Sequence, residues 1–511
     1  MPETAIRETV KKENCGASRL HSRFNPRLEA ERYLDALSIR DGIMYFILIE
    51  PGRGYLASIL AERYPGAKII SLHVEEPEIE EPAAPGREMP SWSPLRGPLM
   101  DFLEREIPDI PAHRITIVEW RPALAAYGRD YLALVAETSE FIKRIDAGAR
   151  TLRAFGGKWI RNFFRNLSIP FTFLAAPSLS APVLVTCSGP GLEGALPRIT
   201  RMKEDGCFIL AVSSSVMALR ARGLVPDMVI STDGGNWALL HLYECFRLNR
   251  GPAPNLAAGL CAALPSQCSA LPFLAIDDGS LWQRVVFSGL GIPSISLAQR
   301  GTVAASALDL AFRFYAEEVF IAGADLRVRD IHTHARPYGF DRLVSEEASR
   351  FTPAYSRSFE RALAVRDGGS HGVYAAWFKN RLAAYPGHVI SLGDNNPLFG
   401  ADGGEELPRG QGRRKPERAA QTPERSPRQA DAKIFSPETF PEGIVAAPFR
   451  ARRGAEILAG ALAEKEVSGI LRRELHPLLF PEKQSGEADL SELQDAVYAL
   501  TPRTTGNRRG R

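Results

Sequence analysis

Residues 182–193, PVLVTCSGPGLE, decide how this chain is read. The apolar run 183–185 has strand character and leads straight into Ser188-Gly189-Pro190-Gly191, after which a helix-like segment begins. A strand that ends in a glycine-rich turn and opens a helix points backbone N–H groups at whatever lies in front of it. That arrangement suits a phosphate. A tight structural turn has the same sequence, and Pro190 contributes no N–H. The neighbouring segments decide between the two.

Working outward, the strand–turn–helix rhythm repeats through 176–400. Strands are expected at 182–187, 208–212, 228–232, 272–276, 293–297 and 318–322, with helices between many of them. The helix 302–315 is the clearest, with Val303, Ala307 and Ala311 on one stripe and Leu308 and Phe314 beside it. Such alternation gives an α/β domain with a mostly parallel sheet and helices on both faces. Upstream, 1–175 shows a βαβ pattern: strand 44–49, turn Glu50-Pro51-Gly52-Arg53-Gly54, helix 55–64 and strand 68–73. The acidic, proline-rich stretch 76–94 reads as loop, and 131–164 as a long helix, so this part is a Rossmann-like domain with a helical connector. Residues 401–435 hold almost no large apolar side chains and read as a disordered linker. The region 436–511 carries helical stripes, one of Ile457, Leu458, Leu462, Ile470 and Leu471, another of Leu490, Leu493, Val497 and Leu500 opened by Asp489 as N-cap.

Composition narrows the class. A chain of 511 residues implies two to three domains, and a hydrophobic share of 45% supports sizeable cores. The net charge of +3 is too small to argue for a nucleic-acid partner. The six cysteines form no CxxC pair, which fits neither a zinc site nor a secreted disulfide scaffold and points to the cytoplasm. The charged amino terminus has no signal-peptide core, and no run of about 18 apolar residues suggests a membrane span.

In open parallel sheets, ligands bind beyond the carboxyl ends of the strands, near the point where strand order reverses. Here those ends deliver Ser188-Gly189-Pro190-Gly191, Ser213-Ser214-Ser215, Thr232-Asp233, Gly301-Thr302 and Asp325, with His332, Thr333 and His334 just beyond. All are small or polar. Asp233 can accept a hydrogen bond from a ribose or sugar hydroxyl, and the start of helix 302–315 offers a second place for a phosphate or carboxylate. Ser213 and Thr302 also suit ordinary N-caps. His334 can act as acid or base near neutral pH. A His332–His334 metal site lacks a third ligand at a suitable spacing, while Asp233 and Asp325 could share Mg²⁺ with a phosphate. In the amino-terminal region, Glu50-Pro51-Gly52-Arg53-Gly54 with Glu75 has the spacing of a nucleotide-cofactor fingerprint. The missing third glycine and the bulky Arg53 and Tyr55 favour a structural turn.

The same residues resemble a known family. CSGPGLE (187–193), AVSSSVMALRARGLVPDMVISTDGG (211–235), GTVAASALDLAF (301–312), IAGADL (321–326) and THA (333–335) resemble the 6-hydroxymethylpterin pyrophosphokinase (MptE)-like domain of motility-associated factor (Maf) glycosyltransferases. LHSRFNPRLEAERYLDAL (20–37) and GGKWIRNFFRNL (156–167) resemble that family's amino-terminal segment and connector. The resemblance implies a cytoplasmic enzyme whose central fold is similar to bacterial sialyltransferases. It implies transfer of a sialic-acid-like sugar from a CMP-activated donor to Ser or Thr of flagellin, with no cofactor required. On that basis Ser188, Gly189, Pro190, Gly191, Ser213, Ser214, Ser215, Thr232, Gly301, Thr302 and Asp325 would hold the donor, and His334 and Asp233 would be catalytic. Gly234-Gly235-Asn236 after Asp233, and Ala324 in IAGADL, depart from the family pattern. Two alternatives stay open: diphosphate transfer to a pterin from ATP with Mg²⁺, and a non-catalytic flagellin-binding protein.

Overall fold

The computed structural model describes residues 20–77, 89–107, 112–246, 252–298, 301–315, 318–366, 374, 378, 382, 388–393, 446–481, 483 and 489–501. The stretch read as a linker, 401–435, lies outside the described residues. The chain divides into two compact units, Met1–Leu152 and Arg153–Arg511.

In the first unit the strands are β1 Tyr45–Ile49, β2 Lys68–Leu72, β3 Ser91–Trp92 and β4 Ile115–Glu119. They form one parallel sheet in the order β3-β2-β1-β4. Helices α1 Pro26–Asp35, α2 Tyr55–Arg63, α3 Leu99–Glu106 and α4 Pro122–Tyr127 complete it. The expected β1–α2–β2 unit is present; β3 falls inside the stretch read as loop. The turn after β1 is closed by its own side chains. Glu50, with a left-handed φ of 46°, turns a buried carboxylate that accepts the Val74 N–H at 2.6 Å. His21 accepts the Arg53 N–H at 3.1 Å and packs between Tyr55 and Trp120, with centroids 5.1 and 5.2 Å away. A Cβ on Gly52 would overlap the His21 ring. The imidazole thus takes the place in front of the glycines where a cofactor would have to sit, and Glu75 is exposed.

The boundary of the second unit falls within α5 Arg129–Leu167. Its strands are β5 Thr172–Phe173, β6 Val183–Thr186, β7 Phe208–Val212, β8 Met228–Ser231, β9 Asn255–Gly259, β10 Pro272–Asp277, β11 Ser294–Ser296, β12 Glu318–Ala322 and β13 His388–Ser391. Every pairing is parallel, in the order β11-β10-β9-β8-β7-β6-β12-β13, with β5 added beside β10. The chain steps outward from β6 to β11, then returns to lay β12 on the other side of β6. The reversal lies between β6 and β12. The residues of β6, β7 and β8 are all buried, which is why they read as unbroken apolar runs. The helices are α6 Gly191–Glu204, α7 Val216–Ala221, α8 Leu239–Leu242, α9 Leu281–Gly289, α10 Val303–Phe314, α11 Asp341–Glu346 and α12 Ala354–Arg366. The apolar face of α10 buries Ala307, Leu308 and Ala311 in one core with Val185, Leu210 and Met228.

Two asparagines of α5 fix the loops beyond β8 and β9. The Asn162 amide donates to the Gly234 and Cys261 carbonyls at 3.2 and 3.1 Å. Asn166, fully buried, donates to Leu260 and Ala262 at 2.8 Å each. The carboxyl-terminal helices Ala447–Ala463, Lys465–Leu479 and Leu490–Ala499 belong to this same unit. Asp489 caps the last of them, accepting the Glu492 N–H at 2.8 Å. Leu458, Leu462 and Leu471 are buried as their spacing implies, while Ile470 faces solvent at 41% exposure and leaves that stripe. Glu474 accepts both the Leu281 and Trp282 N–H groups at 2.9 Å, so a residue of distant sequence caps α9. Arg450 lies over the Phe173 ring, 5.0 Å from its centroid, and burial pulls its pKa down to about 10. No helix among the described residues is long and apolar enough to cross a membrane.

Asn166→Ala strands two buried carbonyls. Denaturant unfolding of the full chain is expected to show a loss of about 1–3 kcal/mol relative to wild type.

Candidate active site

The two glycine amides of the β6–α6 turn are occupied. Gly189 N–H donates to the Gly323 carbonyl at 2.7 Å, Leu192 N–H returns to Gly189, and Glu193 N–H to Pro190. Gly191 N–H donates to the Asp325 carboxylate. Asp325, 8% exposed, comes from the end of β12 and lies over the turn, occupying with its own charge the place sketched for a phosphate. The glycines are needed for this approach. A Cβ on Gly189 would stand 2.6 Å from both Asp325 Oδ2 and the Gly323 carbonyl, and one on Gly191 would overlap the carboxylate. Burial raises the Asp325 pKa, opposed by the Gly191 N–H and by Arg327 and Arg329.

The turn after β12 is stitched to the same place. Cys187 N–H bonds to Ala322 at 2.7 Å, Ala335 N–H to the Ser188 carbonyl at 2.8 Å, and Arg336 N–H to the Glu193 carboxylate at 2.8 Å. These bonds bring His334 beside Ser188. On the other side, Ser214 Oγ bonds to Ser188 Oγ at 2.9 Å, joining the ends of β6 and β7. Ser213 and Ser215 are buried there, and Ser215 Oγ lies within hydrogen-bond distance of the Thr186 and Val212 carbonyls, at 3.0 and 2.8 Å. Ser188 and Ser214 thus meet through their hydroxyls, Asp325 lies on the same turn, and His334 is tied to that turn through the backbone of its neighbour Ala335.

The remaining sequence candidates lie along the same edge. Thr232 is half-buried, and the exposed Asp233 accepts the Gly235 N–H at 2.7 Å. Thr302 holds the N-cap position of α10 without a capping side-chain bond, behind Gly301 at φ 72°. Asp233 follows β8 and Asp325 follows β12, three strand spacings or about 14 Å apart at the backbone. Each carboxylate is turned onto a backbone N–H, Asp233 onto Gly235 and Asp325 onto Gly191. Among the described residues no group of three or more His, Cys, Asp or Glu could hold a metal.

Three features escaped the sequence reading. A cavity of about 440 Å³ opens between the first turn of α6, the 327–330 turn and Leu392-Gly393 after β13, lined by Pro190, Gly191, Arg327 and Arg329. Two left-handed residues, Leu326 (φ 48°) and Asp330 (φ 55°), bracket that turn. The third feature is a ring cluster. Tyr338 stacks on His334 with centroids 4.1 Å apart and planes 16° from parallel. His241, on α8, approaches Tyr338 at 5.1 Å and Phe340 at 5.0 Å, and Trp237 lies 6.2 Å from Phe340. Thr333 Oγ1 is 2.8 Å from His334 Nδ1. Burial lowers the His241 pKa to about 4, against a smaller opposing pull from Asp233. His241 could have been suspected from its place just after the Asp233 strand end; Arg327 and Arg329 carry no sequence signal beyond charge.

With the geometry in place, comparison with known proteins is informative for one segment. Residues 158–330 match the family model described as 6-hydroxymethylpterin diphosphokinase MptE-like. The likeness is confined to this segment. It runs from the end of α5 through β12 to the arginine turn; His334 and Tyr338 lie beyond it. An uncharacterized protein of Treponema pallidum (strain Nichols) is 31% identical over 288 residues, covering 55% of this chain and 60% of its own length. The chain thus spans less than two thirds of that relative. A solved structure of a Maf glycosyltransferase from Magnetospirillum magneticum AMB-1 is 17% identical, with a TM-score of 0.36 over 62% of this chain and 52% of its own. At that TM-score the likeness decides nothing about this chain.

Two outcomes follow from the geometry around the matched segment. Gly191→Ala is expected to cost about 1–3 kcal/mol through overpacking against Asp325, and much less in an Asp325→Ala background, a coupling that a double-mutant cycle measures. His241 binds a proton near pH 6.5 when unfolded and near 4 when folded. Between those values the unfolded chain holds more protons, so stability rises with pH and is lost as pH falls through the window. The group accounts for on the order of 3 kcal/mol over that range, and His241→Phe should flatten the slope of stability against pH there.

Proposed function

We propose that this chain is a glycosyltransferase of the motility-associated factor type. In this reading it moves a sialic-acid-like nonulosonate from a CMP-activated donor to a Ser or Thr hydroxyl of flagellin. The observation that carries the reading is the group at the sheet reversal: the Ser188 and Ser214 hydroxyls joined across two strand ends, His334 drawn to them by the Ala335–Ser188 bond, and Arg327 and Arg329 lining the adjoining cavity. Such a group can orient an anionic donor and move a proton without two convergent carboxylates. The arginines would face the donor's phosphate or carboxylate, Thr232 and Asp233 the sugar or ribose hydroxyls, and Gly301-Thr302 the open side of the pocket. The acceptor oxygen forms its bond to the anomeric carbon as the bond to the CMP phosphate breaks. The acceptor proton passes to His334, and CMP leaves with the electron pair.

A second reading is favoured by the description of the family that matches 158–330: diphosphate transfer from ATP to a pterin, releasing AMP. The two separate in one experiment. The full chain is incubated with flagellin and a CMP-nonulosonate, or with ATP, Mg²⁺ and 6-hydroxymethylpterin. The first reading expects CMP release and a sugar-sized mass increment on flagellin; AMP release in the second mixture would replace it, and flagellin binding with neither product would leave a non-catalytic partner. His334→Ala is expected to lower transfer about a hundred- to ten-thousand-fold while the chain stays folded, as its circular dichroism spectrum checks. Full transfer by that variant would remove His334 from the chemistry.

A further inference from the structure

Between the end of α8 and the start of α11, four rings interlock. His334 lies flat on Tyr338, with centroids at 4.1 Å. His241 meets Tyr338 from α8, with its Nε2 3.5 Å from the phenol oxygen, at the long limit of a hydrogen bond. Phe340 stands edge-on to His241 at 87° and 5.3 Å from Tyr338. The packing is tight enough that Gly339 has no room for a side chain, since a Cβ there would stand 2.7 Å from His241 Nδ1. The backbone holds Tyr338 as well: its N–H donates to Asp341 Oδ2 at 2.8 Å. Tyr338 is 7% exposed. It is thus clamped by its own main chain and by a neighbouring loop, and it offers one ring face to His334.

We propose that Tyr338 is the positioning residue for His334, its ring fixing the imidazole plane and favouring the imidazolium that forms when the neutral imidazole takes the acceptor proton, with His241 and Phe340 holding that ring in place. This rests on the reading of His334 as the proton carrier of the transfer. The physical basis is the negative face of an aromatic ring, which attracts a cation lying over it by roughly 0.5–2 kcal/mol. Tyr338 is neutral, because burial keeps its phenol protonated. His241 is also neutral near pH 7, so it sets no opposing charge beside the stack. The charged groups acting on the cluster come from each packed element. Arg361 on α12 acts on Tyr338, as do Asp341 at the start of α11 and Asp233 beyond β8. Asp233 also acts on His241. None of these is displaced by changing the Tyr338 ring alone.

The test uses the full chain with its histidines labelled at Cε1, His334 being assigned from the spectrum of His334→Gln. In wild type the His334 Cε1–H resonance should be shifted upfield by the Tyr338 ring current and show cross-relaxation to the Tyr338 ring. Absence of both in the folded wild type overturns the inference without any variant. Tyr338→Phe keeps the ring face and should leave the His334 titration and the kcat of transfer close to wild type. Tyr338→Met fills the space without a ring and should move the His334 midpoint down by about half a pH unit and lower kcat with little change in donor KM. An His334 midpoint indifferent to Tyr338→Met, or a Tyr338→Phe change as large as that of Tyr338→Met, overturns the inference alone. Full transfer by His334→Ala would instead remove the reading on which it rests.

Discussion

The carboxylate of Asp325 on the amide of Gly191 is the contact on which the centre of this molecule depends. It joins residues 134 positions apart, at the one place where the sheet order reverses. An open parallel sheet leaves a crevice at such a point, and most proteins of this architecture fill it with ligand. Here the chain supplies an anion of its own, which satisfies the first amide of α6 and holds the β12 turn against the β6 turn. That placement in turn decides which way the 327–335 segment runs, and so where Arg327, Arg329 and His334 stand. The two glycines of the turn serve this contact first: each gives up its side chain so that a carboxylate can lie against the backbone.

The architecture was legible where physics is local. Runs such as FILAV and VFIA are buried on both faces, and burial on both faces is what an unbroken apolar strand records. The strand Asn255–Gly259 was missed because Asn-Leu-Ala-Ala-Gly is made of small residues with weak strand character, and only its two flanking partners make it a strand. β13 was missed too. The strand ends were legible as a set of small polar residues, yet not their employment: nothing in SGPG says that its amides are already taken by Asp325 and Gly323. Asn162 and Asn166 sit four apart on α5, a spacing that puts them on one helix face, but their acceptors lie 72 to 99 residues away in sequence. The ring stack on His334 depends on a loop, 338–340, that no periodicity marks.

The amino-terminal unit illustrates the same limit from the other side. Its glycine turn has the spacing of a cofactor loop, and the feature that fills it, His21, lies some thirty residues earlier. Sequence spacing reports the shape of a turn. It does not report what the rest of the chain places in front of it.

The capping of α9 by Glu474 has a consequence for the order in which the molecule can be assembled. The helix that follows β10 is made well before the carboxylate that seals its first amides, 193 and 192 positions away, and before the Gly454 and Ile457 surface that fits its flank. Until that segment emerges, the first amides of α9 lack this acceptor and the helix flank at Gly289 stands uncovered. Residues 281–289 therefore complete their packing only after a segment some 190 positions further along has been made.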